Sequence, residues 1–250
     1  MKTLDELKQL CDELRRSKAY PFALGIELGE SPYLEYHYSF IHGDDEFSSI
    51  VFDNYFEKHR ITGVEFLLEK ISEESAPGIR AKILRMLGAT MDGEILRNPN
   101  IDQPVDLLRK AEETILHYAK SGVDIERENA IIVLGWVGGL AHIELLGESM
   151  LHDPYEKARA WAASSFMQMS ASHRMKEEEK EILKRACVPF FIQGLEMESD
   201  AFAAGVMVES ISVIFQKKFN LSRTALEEID IERIEKARKS TLRFLTKLNQ

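Results

Sequence analysis

Residues 153–162 read Asp153-Pro154-Tyr155-Glu156-Lys157-Ala158-Arg159-Ala160-Trp161-Ala162. An acid, a proline beside it and a glutamate three residues after the acid make a helix start. The carboxylate accepts otherwise unpaired N–H groups, and proline's fixed φ suits the first helical position. Ala158, Ala162, Phe166 and Met169 then recur at helical spacing. Working outward, Ile143, Leu146 and Met150 make a short helical segment before this start. Ahead of that, Ala130, Ile131, Val133, Leu134 and Val137 make another, ending at Gly138-Gly139. Downstream, a long helix is expected from about Met175 across Pro189, with a kink there because proline lacks an N–H and crowds the preceding turn. Ala203, Val206, Met207, Ile211, Ile214 and Phe215 follow.

The same period runs through the rest of the chain. Stripes occur at Leu4, Leu7, Leu10, Cys11 and Leu14; at Val64, Phe66, Leu67, Leu68 and Ile71; and at Ile79, Ile83, Leu84, Leu87 and Met91. Others occur at Leu107, Leu108, Ala111, Ile115 and Tyr118, and at Ile231, Ile234, Ala237, Leu242, Leu245 and Leu248. Thr224 with Glu227 reads as a capping box, and Asp102 before Pro104 as a further start. One stretch alternates instead: Leu34, Tyr36, Tyr38 and Phe40 against Glu35, His37 and Ser39, the pattern of a short strand or an extended loop.

The helices come in pairs, and the second members align. Arg80, Arg127, Arg159 and Ala204 take one register, 47, 32 and 45 residues apart. Ile83, Ala130, Ala162 and Met207 lie three residues on; Leu87, Leu134, Phe166 and Ile211 lie seven on. Gly88 and Gly135 follow, where a missing side chain lets helices approach closely. Over about residues 60–217 this pattern resembles HEAT or armadillo-like helical repeats, most closely in the acid, Arg and Ala run of 153–162. The resemblance implies an all-α fold, a HEAT/ARM-like α-α superhelix of about four to six stacked helix pairs, because one pair cannot bury its own apolar face. Residues 1–250 then form a single α-solenoid domain: an acidic, aromatic-rich part (1–59), the repeats (60–217) and C-terminal capping helices (218–250).

The 250 residues carry a formal charge of −10. Such a surface repels phosphate backbones, which argues against nucleic acid as a partner. No apolar run reaches the ~18 residues of a membrane span, and the N-terminus does not read as a signal peptide. Cys11 and Cys187 have no disulfide or ligand motif around them, and Cys11 belongs to a buried stripe. Together these point to a cytoplasmic protein.

Residues 19–57 contain no Lys or Arg. Their eight acids, Glu27, Glu30, Glu35, Asp44, Asp45, Glu46, Asp53 and Glu57, account for all but two units of the net charge. Ten of the 22 aromatic residues lie in the same block. Concentrated negative charge steers a cationic partner, and aromatic rings give contact area at low entropic cost. Asp44, Asp45, Glu46, Asp53, Tyr36 and Tyr38 are therefore candidate partner-binding residues. Trp136 and Trp161, on second helices of the repeats, are added to them. The same aromatics also suit a core at one end of the array, with Phe47, Val51 and Tyr55 inward and the acids outward.

No catalytic motif stands out. The seven histidines make no His-Glu-x-x-His, and there is no Cys-x-x-Cys, nucleophile elbow or phosphate loop. His37, His42, Asp44 and Asp45 are the loosest set that could collect a metal, and they read as solvated side chains. No cofactor is expected. The reading that follows is a binding module without enzymatic activity: an immunity-type protein that occupies and neutralises a basic toxin domain. The alternatives are a general assembly scaffold or adaptor, or an enzyme resembling the HEAT-like DNA glycosylases or bilin lyases. A glycosylase requires a positive groove with Trp136 or Trp161 exposed beside a carboxylate.

Overall fold

The computed structural model describes residues 1–97 and 104–248, so the helix start read at Asp102 lies outside the described residues. Among the described residues the chain is all-helical, with no strand. It divides into two compact units, Met1–Glu126 and Arg127–Gln250. None of the described helices is long and apolar enough to cross a membrane.

In the first unit the helices are α1 (Leu4–Ser17), α2 (Phe22–Gly29), α3 (Leu34–Tyr38), α4 (Glu46–Tyr55), α5 (Arg60–Glu73), α6 (Pro77–Thr90) and α7 (Val105–Ser121). A π-helical turn, Met91–Leu96, continues α6 directly. Thr3 and Glu6 close a capping box on α1, and the stripe read from sequence puts Leu7 and Cys11 in the core. Around them Leu24, Leu28, Ile41, Val51, Phe52, Phe56, Val64 and Leu67 are buried. Fully burying such a side chain contributes about 1.5–3 kcal/mol.

The alternating stretch at 34–40 is not extended. It forms α3 and then a 3-10 turn, Ser39–His42. The reason is which side chains go inward: His37, Tyr38 and Ile41 are buried, a helical spacing, while Glu35 and Ser39 face solvent. His37 was expected among solvated side chains. It lies instead in the core, paired with His59. The His37 Nε2–H donates to the Val51 carbonyl oxygen (3.0 Å), so Nδ1 is left to accept the His59 Nε2–H (2.9 Å). Both rings pack on Phe56. Burial lowers the His37 pKa to about 3, with His59 adding to the effect, and lowers His59 to about 4.

α8 (Asp124–Val137) begins at the end of the first unit. The second unit continues with α9 (Ile143–His152), α10 (Glu156–Ala171), α11 (Glu177–Met197), α12 (Ala201–Ile214), α13 (Arg223–Glu227) and α14 (Ile231–Leu248). Within it α9 packs on α10 and α11, α10 packs on α12, and α14 lies against both α11 and α12. Pro189 falls inside α11, as the sequence indicated. α10 is buried on several sides, and its buried residues are mostly small: Ala158, Ala160, Ala162, Ala163, Ser164 and Ser165. Ser165 donates its hydroxyl to the Ile131 carbonyl oxygen of α8 (2.8 Å). A Cβ on Gly135 would stand 2.9 Å from the Ser165 Cα, so the glycine is what permits this approach.

The residues aligned from sequence occupy one structural position. Arg80, Arg127, Arg159 and Ala204 are each the fourth residue of α6, α8, α10 and α12. Each arginine finds a carboxylate that is itself buried. In the first unit Arg80 pairs with Glu126 and donates to the Glu74 carbonyl oxygen. In the second, Arg127 grips Asp153 through two bonds of 2.9 Å, and Arg159 grips Glu198 at 2.7 and 2.9 Å while donating to the Asp153 carbonyl oxygen. Each acid also accepts a nearby backbone N–H, from Val123, Tyr155 and Asp200 respectively.

Two expected caps are corrected here. Asp153 does not cap α10, which starts at Glu156; its carboxylate is held by Arg127 and the Tyr155 N–H. Ser222, not Thr224, caps α13, accepting from the Ala225 N–H, because the chain turns into the helix two residues earlier than the Thr-Glu spacing suggested.

Candidate functional site

The sequence-derived candidates separate into three groups. Asp44, Asp45, Glu46 and Asp53 are exposed, the first three at the start of α4 and Asp53 near its end. Asp45 is the N-cap of α4: its carboxylate accepts from the Ser48 N–H and hydroxyl, both at 2.9 Å. The Ser48 N–H, with help from Arg15, holds the Asp45 carboxyl below the usual carboxylate range. Asp53 accepts from the Ser49 hydroxyl (2.6 Å). Asp44 and Glu46 make no ion pair among the described residues.

Tyr36 is half-buried against Phe40, and burial, then the neighbouring Cys11, raises its phenol pKa. Tyr38 is a core residue. Its ring lies edge-on to Phe52 and Phe66, and burial pushes its hydroxyl up to about 12. It offers no surface to a partner. Trp136 and Trp161 belong to the second unit, and both are half-buried. The Trp161 indole N–H donates to the Glu128 carboxylate of α8 (2.9 Å), and its ring meets Phe202 of α12 edge-on. The Trp136 carbonyl oxygen accepts from Arg174.

Sequence reasoning passed over the residues that sit beside the acids. α1 ends at Ser17, and its C-cap Lys18, in the left-handed conformation (φ 54°), turns the chain toward Tyr20 and Pro21. Arg15, in the last turn of α1, lies over the Phe47 ring (4.3 Å). It donates to the Ser48 hydroxyl (2.8 Å) and to Asp45 (3.3 Å), joining α1 to the start of α4. A cleft of about 450 Å³ opens between them, walled by Leu14, Tyr20, Pro21, Phe47 and Ile50. Tyr20 and Phe22 are 62% and 56% exposed, unusual for rings of this size. The available signal was position: two aromatics flanking Pro21, in the break between helical stripes and belonging to neither.

The loosest metal set is not assembled, since His37 is committed to His59 and Val51. Among the described residues no three His, Cys, Asp or Glu side chains are placed to hold a metal ion. Cys187 is buried, which pushes its thiol up to about 12, the opposite of an activated thiolate. Comparison with protein-family models, with curated proteins and with solved structures returned no match.

Proposed function

We propose that the chain is a HEAT-like α-α superhelix that acts as a protein-binding module, occupying and neutralising a basic partner such as a toxin domain. The superhelix reading is supported by the equivalent placement of Arg80, Arg127 and Arg159, each reaching a buried acid near the start of a later helix: Glu126 in the first turn of α8, Asp153 ahead of α10 and Glu198 ahead of α12. The binding reading rests on one observation: Asp44, Asp45, Glu46 and Asp53 of the 19–57 block face solvent around α4, while Tyr38, Phe40, Phe52 and Phe56 of the same block are buried. Long-range attraction by such a face raises the on-rate for a cationic partner and falls with salt.

The test is retention of a basic partner. Asp45 caps α4, so the variant that spares the fold is Asp44→Lys/Glu46→Lys/Asp53→Lys. The wild-type chain should retain a Lys/Arg-rich partner from its native host and rescue growth when that partner is co-expressed. The triple variant should lose about tenfold or more in affinity, with an unchanged melting curve. Equal retention by both would remove the reading.

One observation favours the glycosylase alternative, namely the half-buried Trp161 indole beside the Glu128 carboxylate. Against it, Arg127 and Arg159 are turned into Asp153 and Glu198 rather than outward to a phosphate backbone. DNA binding at low salt that weakens steeply as salt is added would favour the enzyme; its absence removes that option.

A further inference from the structure

We propose that the cleft between α1 and α4 seats a cationic amphipathic segment of the partner protein, with a large apolar side chain inserted between Tyr20 and Ile50 and lysines or arginines lying along α4. The inference rests on the protein-binding reading above and names the chemistry of the segment that binds.

Three features argue for that occupant. First, the cleft joins an apolar wall to a charged rim: Leu14 comes from α1, Phe47 and Ile50 from α4, Pro21 fixes the chain between α1 and α2, and Arg15, Lys18, Asp45 and Glu46 complete the lining. A cleft of this kind receives an anchor residue, the usual centre of binding energy in an interface. Second, the apolar surface continues beyond it. Phe22 meets Tyr55 edge-on (6.0 Å) at the far end of α4, and Ile26 follows one turn later on α2. Tyr20, Phe22 and Ile26 are exposed, enough apolar surface for a segment rather than a single side chain.

Third, the charge that α4 presents has one sign. Glu46, Ile50 and Asp53 follow at i, i+4 and i+7, one face of α4, and Asp44 lies just ahead of it. Arg15 does not offset them, because it is bound to Asp45 and Ser48 and lies flat on Phe47. Among the described residues that line the cleft, Lys18, the C-cap of α1, is the other cation. An apolar side chain with cationic neighbours therefore matches both the cleft and the α4 face, whereas an acidic segment would meet repulsion along α4.

The probe is a synthetic amphipathic Leu/Lys peptide, measured by calorimetry on the full chain against oligolysine of equal charge. The wild-type chain should bind Leu/Lys about tenfold tighter than oligolysine. Tyr20→Ser/Ile50→Ser should reduce Leu/Lys binding to the oligolysine level, while Glu46→Lys/Asp53→Lys should weaken both peptides. If the first variant does not fold, Tyr20→Lys, at a solvent-facing ring, carries the same expectation. Equal affinity for the two peptides, or a margin that survives Tyr20→Lys, overturns the cleft as the seat and leaves the charge-steered partner standing. If neither peptide binds and the acid reversal changes nothing, both readings fall. A dimer in sedimentation that Tyr20→Lys dissolves would make a second copy of the chain the occupant, and also overturns the proposal.

Discussion

Arg159→Ala is expected to destabilise the second unit by about 3–5 kcal/mol, the cost of leaving a buried carboxylate without its cation. The Glu198 side chain is only 3% exposed, and Arg159 supplies two of its hydrogen bonds. Burial alone would raise the Glu198 pKa. The guanidinium of Arg159 and the N–H groups of Asp200 and Ser199 outweigh it, and the pKa is lowered. A carboxyl with a depressed folded pKa contributes stability above its unfolded value and loses it as pH falls through the folded one. Arg159→Ala should therefore cost most near neutral pH and less in acid. Arg159→Met/Glu198→Leu should recover most of the loss, because no uncompensated charge is left inside. Arg223→Ala gives the contrast: its pair with Glu227 is solvated on both sides and should produce no measurable change. Urea unfolding of the four proteins decides the matter. A loss below about 1 kcal/mol for Arg159→Ala would mean that the pair behaves like a surface ion pair.

Acidification should weaken the first unit before its carboxylates titrate. His37 and His59 have folded pKa values near 3 and 4 against an unfolded value near 6.5. Between those limits the unfolded chain binds more protons than the folded one, so stability is full above about pH 6.5 and falls as pH drops toward 4. The slope is up to about 1.4 kcal/mol per pH unit for each histidine. The hydrogen-bond chain explains why protonation is opposed. His37 already donates through Nε2 to Val51, and a proton on Nδ1 would point at the His59 Nε2–H. His37→Leu/His59→Phe should flatten the dependence between pH 6.5 and 5, whatever it does to stability at neutral pH. Urea midpoints across that range test the expectation. Ring signals of His37 and His59 that titrate in the ordinary histidine range would sink it.

Much of the helical pattern was open to direct reading, for identifiable reasons. Leu7 and Cys11 are buried where their spacing put them, and Arg80, Arg127, Arg159 and Ala204 share the fourth position of their helices. In each case the relevant neighbours lie within one helix, and a 3.6-residue period records them. Where the deciding partner is distant, the reading failed. The alternation at 34–40 suggested an extended segment because it set His37 among the polar residues; the partner that His37 meets in the core, His59, lies 22 residues away and leaves no mark on the local pattern. Asp153 looked like a cap because local spacing cannot show Arg127 reaching it from α8, beyond the intervening α9.

The candidate surface divides in the same way. Its acids were legible because a 39-residue block without a cation is a fact of composition, and charge of one sign stays at the surface unless it is paired. Which aromatics join them was not legible. Tyr38 and Tyr20 lie in the same block, yet Tyr38 packs between Phe52 and Phe66 while Tyr20 stands over an open cleft. The sequence by itself determined most of the longer helices, the shared register of α6, α8, α10 and α12, and the sign of the charge, since each follows from residues near one another along the chain. Tertiary structure alone decided which rings are core and which carboxylates are buried ion pairs. It also decided where apolar surface is left uncovered, because burial is set by neighbours that the chain brings together only on folding.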